Sequence, residues 1–254
     1  RGGGYIKREI MKYKDVLKSA LDKLKQEAGS QNIKTLLSKR VFVAQSIPQY
    51  IRANIIKIRK LSLSLPSIFD EIHRSCPGIL SDEYIPNLFR VPIHSHSFGE
   101  HNRVKDGTLI IQDKASCFPS QILMDEWTHG DIIDACSAPG NKTSHMVSLL
   151  IEKTDDLNQM DPFAQNSATS ASSLSSLSET ITRAGTRAAR IYAFEKDQNR
   201  INLLKMRLNH FSIESLVETS HSDFLEVDID EIRYRNVSSI LLDPSCSGSG
   251  IARD

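Results

Sequence analysis

From Asp106 onward, strand-length apolar runs alternate with helix-length amphipathic ones, and this predicts an α/β fold built on a doubly wound parallel sheet. Two runs sharpen the prediction. Asp131–Cys136 reads as a buried strand that turns through Ala138-Pro139-Gly140 into a helix at Asn141 or Lys142. Ser239–Asp243 is apolar on both faces, as in the middle of a covered parallel sheet, and it ends in Asp-Pro-x-Cys.

Three parts follow in order along the chain. Residues 1–45 form a helical amino-terminal region, with Ile10, Val16, Leu17, Leu21 and Leu24 at helical spacing, a break at Gly29-Ser30 and a second short helix near Ile33–Leu37. Residues 46–105 form a small α+β unit. Within it, Tyr50–Asn54 is a strand, Ser67–His73 a helix, Pro77-Gly78 a turn and Asn87–Ile93 extended. Residues 106–254 carry the sheet. Its strands are Leu109–Gln112, Asp131–Cys136, Ile191–Phe194, Leu216–Thr219 and Ser239–Asp243, and its helices are Cys117–Leu123, Asn141–Ile151 and Asp197–Phe211. The stretch 154–189 includes a Ser- and Ala-rich run with few large apolar residues, so it reads as a flexible insertion in one connection.

Composition narrows the function. The net charge is only +1, so any nucleic-acid contact has to come from local basic segments. Two stand out, Lys7–Lys25 and Arg52–Lys60, each readable as a solvated helix face or as a phosphate-contacting surface. The four cysteines, Cys76, Cys117, Cys136 and Cys246, form no Cys-x-x-Cys pair, which argues against a zinc ribbon or a disulfide framework. His94, His96 and His101 in a polar loop read as surface histidines rather than metal ligands. No apolar run is long enough to span a membrane. The expected setting is an intracellular, reducing one.

Chemistry concentrates at the strand ends. The turn Cys136-Ser137-Ala138-Pro139-Gly140-Asn141-Lys142 offers helix-terminal N–H groups and an ammonium, which suit an anionic group. A P-loop would require glycine at positions 136 and 141, where cysteine and asparagine stand, so a nucleoside triphosphatase is rejected. Nucleotide-binding sheets often carry an acid about 20 residues past this turn. Glu195 lies 55 residues after Gly140, but the 36 residues of 154–189 intervene and leave 19, so Glu195 is the candidate for a ribose diol. Asp223 follows the next strand and reads either as an adenine-amine acceptor or as a helix N-cap. Asp243-Pro244-Ser245-Cys246 replaces the Pro-aromatic pair of amine methyltransferases with Ser and Cys. A thiolate there could add to C6 of a pyrimidine and make C5 nucleophilic; an inert buried cysteine is the bland alternative.

These residues resemble the Nop/Sun family of RNA cytosine-C5 methyltransferases. The resemblance rests on Gln112-Asp-Lys-Ala-Ser-Cys117, Asp134 to His145, Ala193 to Arg200, Asp223, and Asp243 to Gly250, with Tyr50-Ile-Arg-Ala-Asn54 similar to the family's Arg-Val-Asn element. Asn141 and Ser245 resemble the member-five branch, which acts on a cytosine of large-subunit ribosomal RNA.

The resemblance implies a Rossmann-like, S-adenosylmethionine-dependent methyltransferase. It implies that Cys136 to Lys142 cradle the methionine moiety, Glu195 holds the ribose, Arg200 supports that loop, Asp223 faces the adenine and Asp243 contacts both cofactor and target cytosine. It makes Cys246 the release cysteine and puts the nucleophilic cysteine past Asp254, so residues 1–254 alone are expected to bind cofactor weakly and not to turn over. No metal is implied. The implied partner is RNA, large-subunit rRNA or a pre-ribosome, met by a monomer in the nucleus and nucleolus, with no membrane. The alternative expectation is a catalytically inactive module that binds RNA or pre-ribosomes.

Overall fold

A computed structural model describes residues 9, 11–27, 48–92, 98–160 and 189–244, with positions 24 and 156–160 described by their backbone alone. These residues fall in two compact units. The first contains α1 (Lys14–Glu27). Along it Lys14, Lys18 and Lys23 are exposed, as are Val16 and Leu17. The second helix expected near Ile33–Leu37, the break at Gly29-Ser30, and His94 and His96 lie outside the described residues.

The second unit, from Pro48 onward, holds two four-stranded sheets. The first is antiparallel and is built from β1 (Gln49–Ala53), β2 (Leu80–Ser81), β3 (Leu88–Val91) and β4 (Leu109–Ile111), in the order β2-β3-β1-β4. Its apolar side packs on α2 (Ile55–Lys60) and α3 (Leu65–Ser75) through Ile51, Ile55, Ile58, Ile68, Ile72 and Phe89. Asn54 starts α2 by accepting from the Lys57 amide at 3.3 Å, and Ser64 starts α3 in the same way at 3.2 Å. Pro77-Gly78 turns as expected, with Gly78 at φ +90°. A short α4 (Asn102–Lys105) leads back into β4, with His101 as its cap: the His101 ring accepts from the Arg103 amide at 3.2 Å.

One placement differs from the sequence-based expectation. The alternation assigns Leu109–Gln112 to the parallel sheet, but the strand, Leu109–Ile111, pairs antiparallel with β1, Ile51 opposite Ile111. Periodicity identifies a strand without naming its partner.

The second sheet is parallel. It comprises β5 (Asp131–Asp134), β6 (Ile191–Glu195), β7 (Val217–His221) and β8 (Val237–Leu241), in the order β7-β6-β5-β8. Every residue of β5 and β6 is buried. One face packs against α5 (Lys114–Glu126), α6 (Asn141–Met160) and α7 (Gln198–His210), through Met124, Met146, Leu150, Ile201, Leu204 and Leu208. On the other face Ile133, Tyr192 and Phe194 meet Tyr234 from the β7–β8 connection, which runs through short 3-10 turns and no α-helix.

Two further expectations need correction. The apolar run Ser239–Asp243 predicts a middle strand, but among the described residues β8 is an edge, with Ile240 51% exposed. The apolar run fitted either place, because burial depends on what covers a strand and not on the strand alone. The helix after β5 was expected to end near Ile151, yet α6 runs to Met160, into the stretch read as an insertion. No Gly or Pro interrupts it before Pro162, and Lys, Asp, Leu, Asn and Gln are compatible with helix. The remainder of that stretch, 161–188, lies outside the described residues. No helix of the described residues is long and apolar enough to cross a membrane.

Candidate active site

The parallel register brings four strand ends to one edge. Asp134 is level with Ala193 and Leu241, and Glu195 with His221. The chain passes from β5 outward to β6 and β7, then returns to the opposite side of β5 as β8. The reversal lies between β5 and β8, where open parallel sheets form a crevice at their carboxyl ends. The 136–142 turn, Glu195, Asp223 and Asp243 all lie at this edge.

The turn is held from several sides. The Ser137 amide and hydroxyl both donate to the Phe194 carbonyl, at 2.9 and 2.8 Å. Gly140 donates to the Ser137 carbonyl at 2.7 Å and its own carbonyl accepts the Ser144 amide at 2.9 Å, which opens α6. Gly140 has φ +99°, and a Cβ there would stand 2.9 Å from Leu204 Cδ1. Both backbone conformation and close approach to α7 therefore call for glycine. Below the turn, Thr143 donates to Asp134 Oδ2 at 2.7 Å. Burial pushes the Asp134 carboxyl up to about 6. Burial also raises the Cys136 thiol, and nearby Asp134 and Glu195 add to this, so Cys136 is a neutral lining group.

Two arginines of α7 clasp the turn from one side. Arg200 donates to the Ala138 carbonyl at 2.6 Å and pairs with Glu195 Oε2 at 3.2 Å. Arg207 donates to Asn141 Oδ1 at 2.7 Å. Glu195 is only 5% exposed, and its other oxygen accepts the Asp197 amide at 3.0 Å. Each carboxylate oxygen has a second lone pair, so capacity remains for a diol. Asp223 Oδ1 accepts the Leu225 amide at 3.1 Å, the N-cap arrangement, and Oδ2 pairs with Lys196 at 3.3 Å. The amide hydrogen bond and Lys196 hold its carboxyl below the usual range.

Lys142 joins the two halves of the crevice. Its ammonium lies 2.7 Å from Asp243 Oδ2 and donates to Ser116 Oγ at 3.0 Å. The Asp243 carboxylate is 47% exposed and open to a ligand. Pro139 is likewise exposed at the turn. Ser245 and Cys246 lie outside the described residues.

Three contributors went unnoticed in the sequence. Arg207 lies seven residues after Arg200, the spacing of one helix face, so it was recoverable. Ser116 falls inside the Gln112–Cys117 match but has no chemistry of its own to mark it. Arg52 was grouped with a basic surface segment, and the structure corrects that. Its guanidinium is 1% exposed and donates to Gln112 Oε1 at 2.9 Å, Ser144 Oγ at 2.8 Å and Ser148 Oγ at 3.3 Å. Burial lowers it to about 10, so it stays charged at neutral pH. Lys57 and Arg59 are also engaged, with the His210 carbonyl and with Asp155. Asn54 sends its amide to the Gly107 and Phe211 carbonyls at 2.9 and 3.0 Å. The Arg-Ala-Asn element therefore clamps the antiparallel sheet to α6 and to the end of α7.

Comparison with known proteins agrees with this geometry. The chain is 33% identical over 98% of its length to the 25S rRNA (cytosine-C5)-methyltransferase rcm1 of Schizosaccharomyces pombe, covering 46% of that protein. It is 31% identical over 98% of its length to the 28S rRNA (cytosine-C5)-methyltransferase of Mus musculus, covering 49%. The chain thus spans about half the length of these relatives. Its fold matches the crystal structure of a methyltransferase homolog from Pyrococcus horikoshii with a TM-score of 0.54 and 22% identity, covering 86% of this chain and 57% of that one. No protein-family model matches. The fold is accordingly a Rossmann-like methyltransferase fold, and along nearly its whole length the chain is similar to large-subunit rRNA (cytosine-C5)-methyltransferases.

Proposed function

We propose that this protein serves the S-adenosylmethionine-dependent methylation of C5 of a cytosine in large-subunit ribosomal RNA. The observation that carries the reading is the Lys142–Asp243 pair at 2.7 Å, set between the turn after β5 and the end of β8. It fixes a half-exposed carboxylate at the sheet reversal, beside a turn fit for an anionic ligand. The donor set fits the cofactor: N–H groups at the start of α6 for its carboxylate, and the buried Glu195 for its ribose diol.

In this reading residues 136–142 hold the methionine moiety, Glu195 binds the ribose, and Arg200 locks Glu195 to the turn. Asp223 keeps its N-cap bond and offers its remaining lone pairs to the adenine edge. S-adenosylmethionine, when bound, supplies an electrophilic methyl group. Asp243, oriented by Lys142, accepts a hydrogen bond from the cytosine, which leaves its stack to reach the crevice. Cys246 as release cysteine rests on the family resemblance alone. The lysines of α1 contact phosphates and so position the RNA. The protein acts as a monomer in the nucleolus.

The test is incubation with labelled S-adenosylmethionine and large-subunit rRNA, followed by mapping of the label. The label is expected at C5 of a cytosine, with cofactor binding measured alongside. Binding should weaken at least about tenfold in Glu195→Gln, the loss of one charged hydrogen-bonding group. Label on an exocyclic amine, or cofactor affinity indifferent to Glu195, would sink the reading.

A further inference from the structure

An exposed aromatic pair lies outside the site just described. Tyr84 is 67% exposed and Phe118 37%. Between them stands Lys114, its ammonium 4.5 Å from the Tyr84 ring centroid and 6.0 Å from that of Phe118. Asp82 organises the group. Its carboxylate pairs with Lys114 at 2.7 Å and accepts the Tyr84 and Ile85 amides at 3.0 and 3.1 Å. The Asp82 side chain is only 5% exposed. One buried carboxylate therefore fixes both the turn that carries Tyr84 and the cation against its ring.

Fixing a large ring at the surface contributes little to folding, because most of its apolar area stays in water. It does lower the ordering cost of binding something flat. The location is informative. Lys114 and Phe118 are four residues apart on α5 and share a face. Ser116 and Ser120, also four apart, turn the other way, to the Lys142 ammonium and carbonyl, each at 3.0 Å. Phe118 is therefore about one helix diameter, roughly 10 Å, from Lys142 across α5.

Exposed rings beside an ammonium match the stacking platforms of single-stranded nucleic-acid sites. A base withdrawn from its stack leaves its neighbour without a stacking partner. We propose that Tyr84, Phe118 and Lys114 form a stacking platform for an unpaired nucleotide flanking the target cytosine. The proposal rests on the reading that the site acts on RNA. A protein partner is the competing occupant.

Fluorescence anisotropy with a short labelled single-stranded RNA, on the whole chain, tests it. Tyr84→Ala should bind roughly tenfold more weakly, the loss of one base–aromatic stack. The salt dependence of binding should not change, because no phosphate contact is removed. Tyr84→Trp should keep the affinity, and its indole should be quenched by the bound base. The chain's one native tryptophan, Trp127, is 6% exposed, so that quenching is assignable to the surface. Calorimetric S-adenosylmethionine affinity and melting temperature should match the unaltered protein in both variants. Undiminished RNA binding in Tyr84→Ala overturns the platform and leaves the protein partner. An unaltered chain that binds the cofactor but no RNA overturns the underlying reading, and the platform with it.

Discussion

Among the described residues the antiparallel and parallel sheets have four strands each in one compact unit, yet the polar groups of the candidate site converge only on the second. Strands of the parallel sheet all finish at the same edge, so the segments after β5, β6, β7 and β8 meet there. In the antiparallel sheet neighbouring strands finish at opposite edges, so their ends are divided between the two. The antiparallel sheet contributes differently. From β1, Arg52 reaches Ser144 and Ser148 near the start of α6, and Asn54 reaches the Phe211 carbonyl at the end of α7. One sheet gathers the polar groups of the candidate site, and the other braces the two helices that flank the 136–142 turn.

The comparison is most directly broken at the brace. Arg52→Ala should lower the unfolding free energy by about 3–5 kcal/mol, since it leaves a cavity and an unpartnered Gln112 oxygen. Urea unfolding measures it, and a loss under about 1 kcal/mol would mean that the sheets stand without the brace. On the ligand-facing side, the Asp134 carboxyl is raised to about 6 from 3.8, chiefly by burial. The folded chain thus holds that proton more tightly than the unfolded one. The contribution is full below about pH 4 and declines as pH rises toward about 6, by about 3 kcal/mol. Asp134→Asn should flatten this part of the stability profile; an unchanged slope would assign it to other groups.

A smaller effect is expected at the turn itself. Gly140→Ala forces a side chain into the left-handed region and against Leu204, at a cost of about 1–3 kcal/mol. Cofactor affinity should fall with it, whereas Arg52→Ala should affect affinity only through stability; calorimetry on folded protein separates the two. Smallest of all is Arg59→Ala, which removes a partly exposed pair with Asp155 and should cost about 0–1 kcal/mol. A larger loss, seen as a shifted melting temperature, would move the brace outward from Arg52.

What could be read from the sequence follows the same division. The strands and helices that flank the site were visible because buried strands and amphipathic helices have distinct periods, and Gly140, Glu195 and Asp243 could be picked out because each follows or ends a buried apolar run. The short α2 was not visible: Ile55-Ile-Lys-Ile-Arg-Lys60 alternates like a strand for part of its length, and the decisive signal is the Asn54 cap. Nor was the pairing of β4 with β1, because partner choice is a tertiary property. Arg52 was misplaced for a physical reason as well. A guanidinium is normally solvated, and only the convergence of Gln112, Ser144 and Ser148 from distant segments makes its burial tolerable.

The strand order also bears on how the protein is made. β5 pairs on one side with β6, whose Ile191 aligns with Ile132, and on the other with β8, whose Val237 aligns with Asp131. At about 5–20 residues per second, a ribosome delivers β8 roughly 5–20 s after β5. Through that interval one edge of a fully buried strand has no neighbour, an invitation to aggregation unless a chaperone or another segment shields it. Lys142 meets Asp243 only when that edge closes, so a ribosome stalled before β8 would release a chain whose 136–142 turn lacks its carboxylate partner.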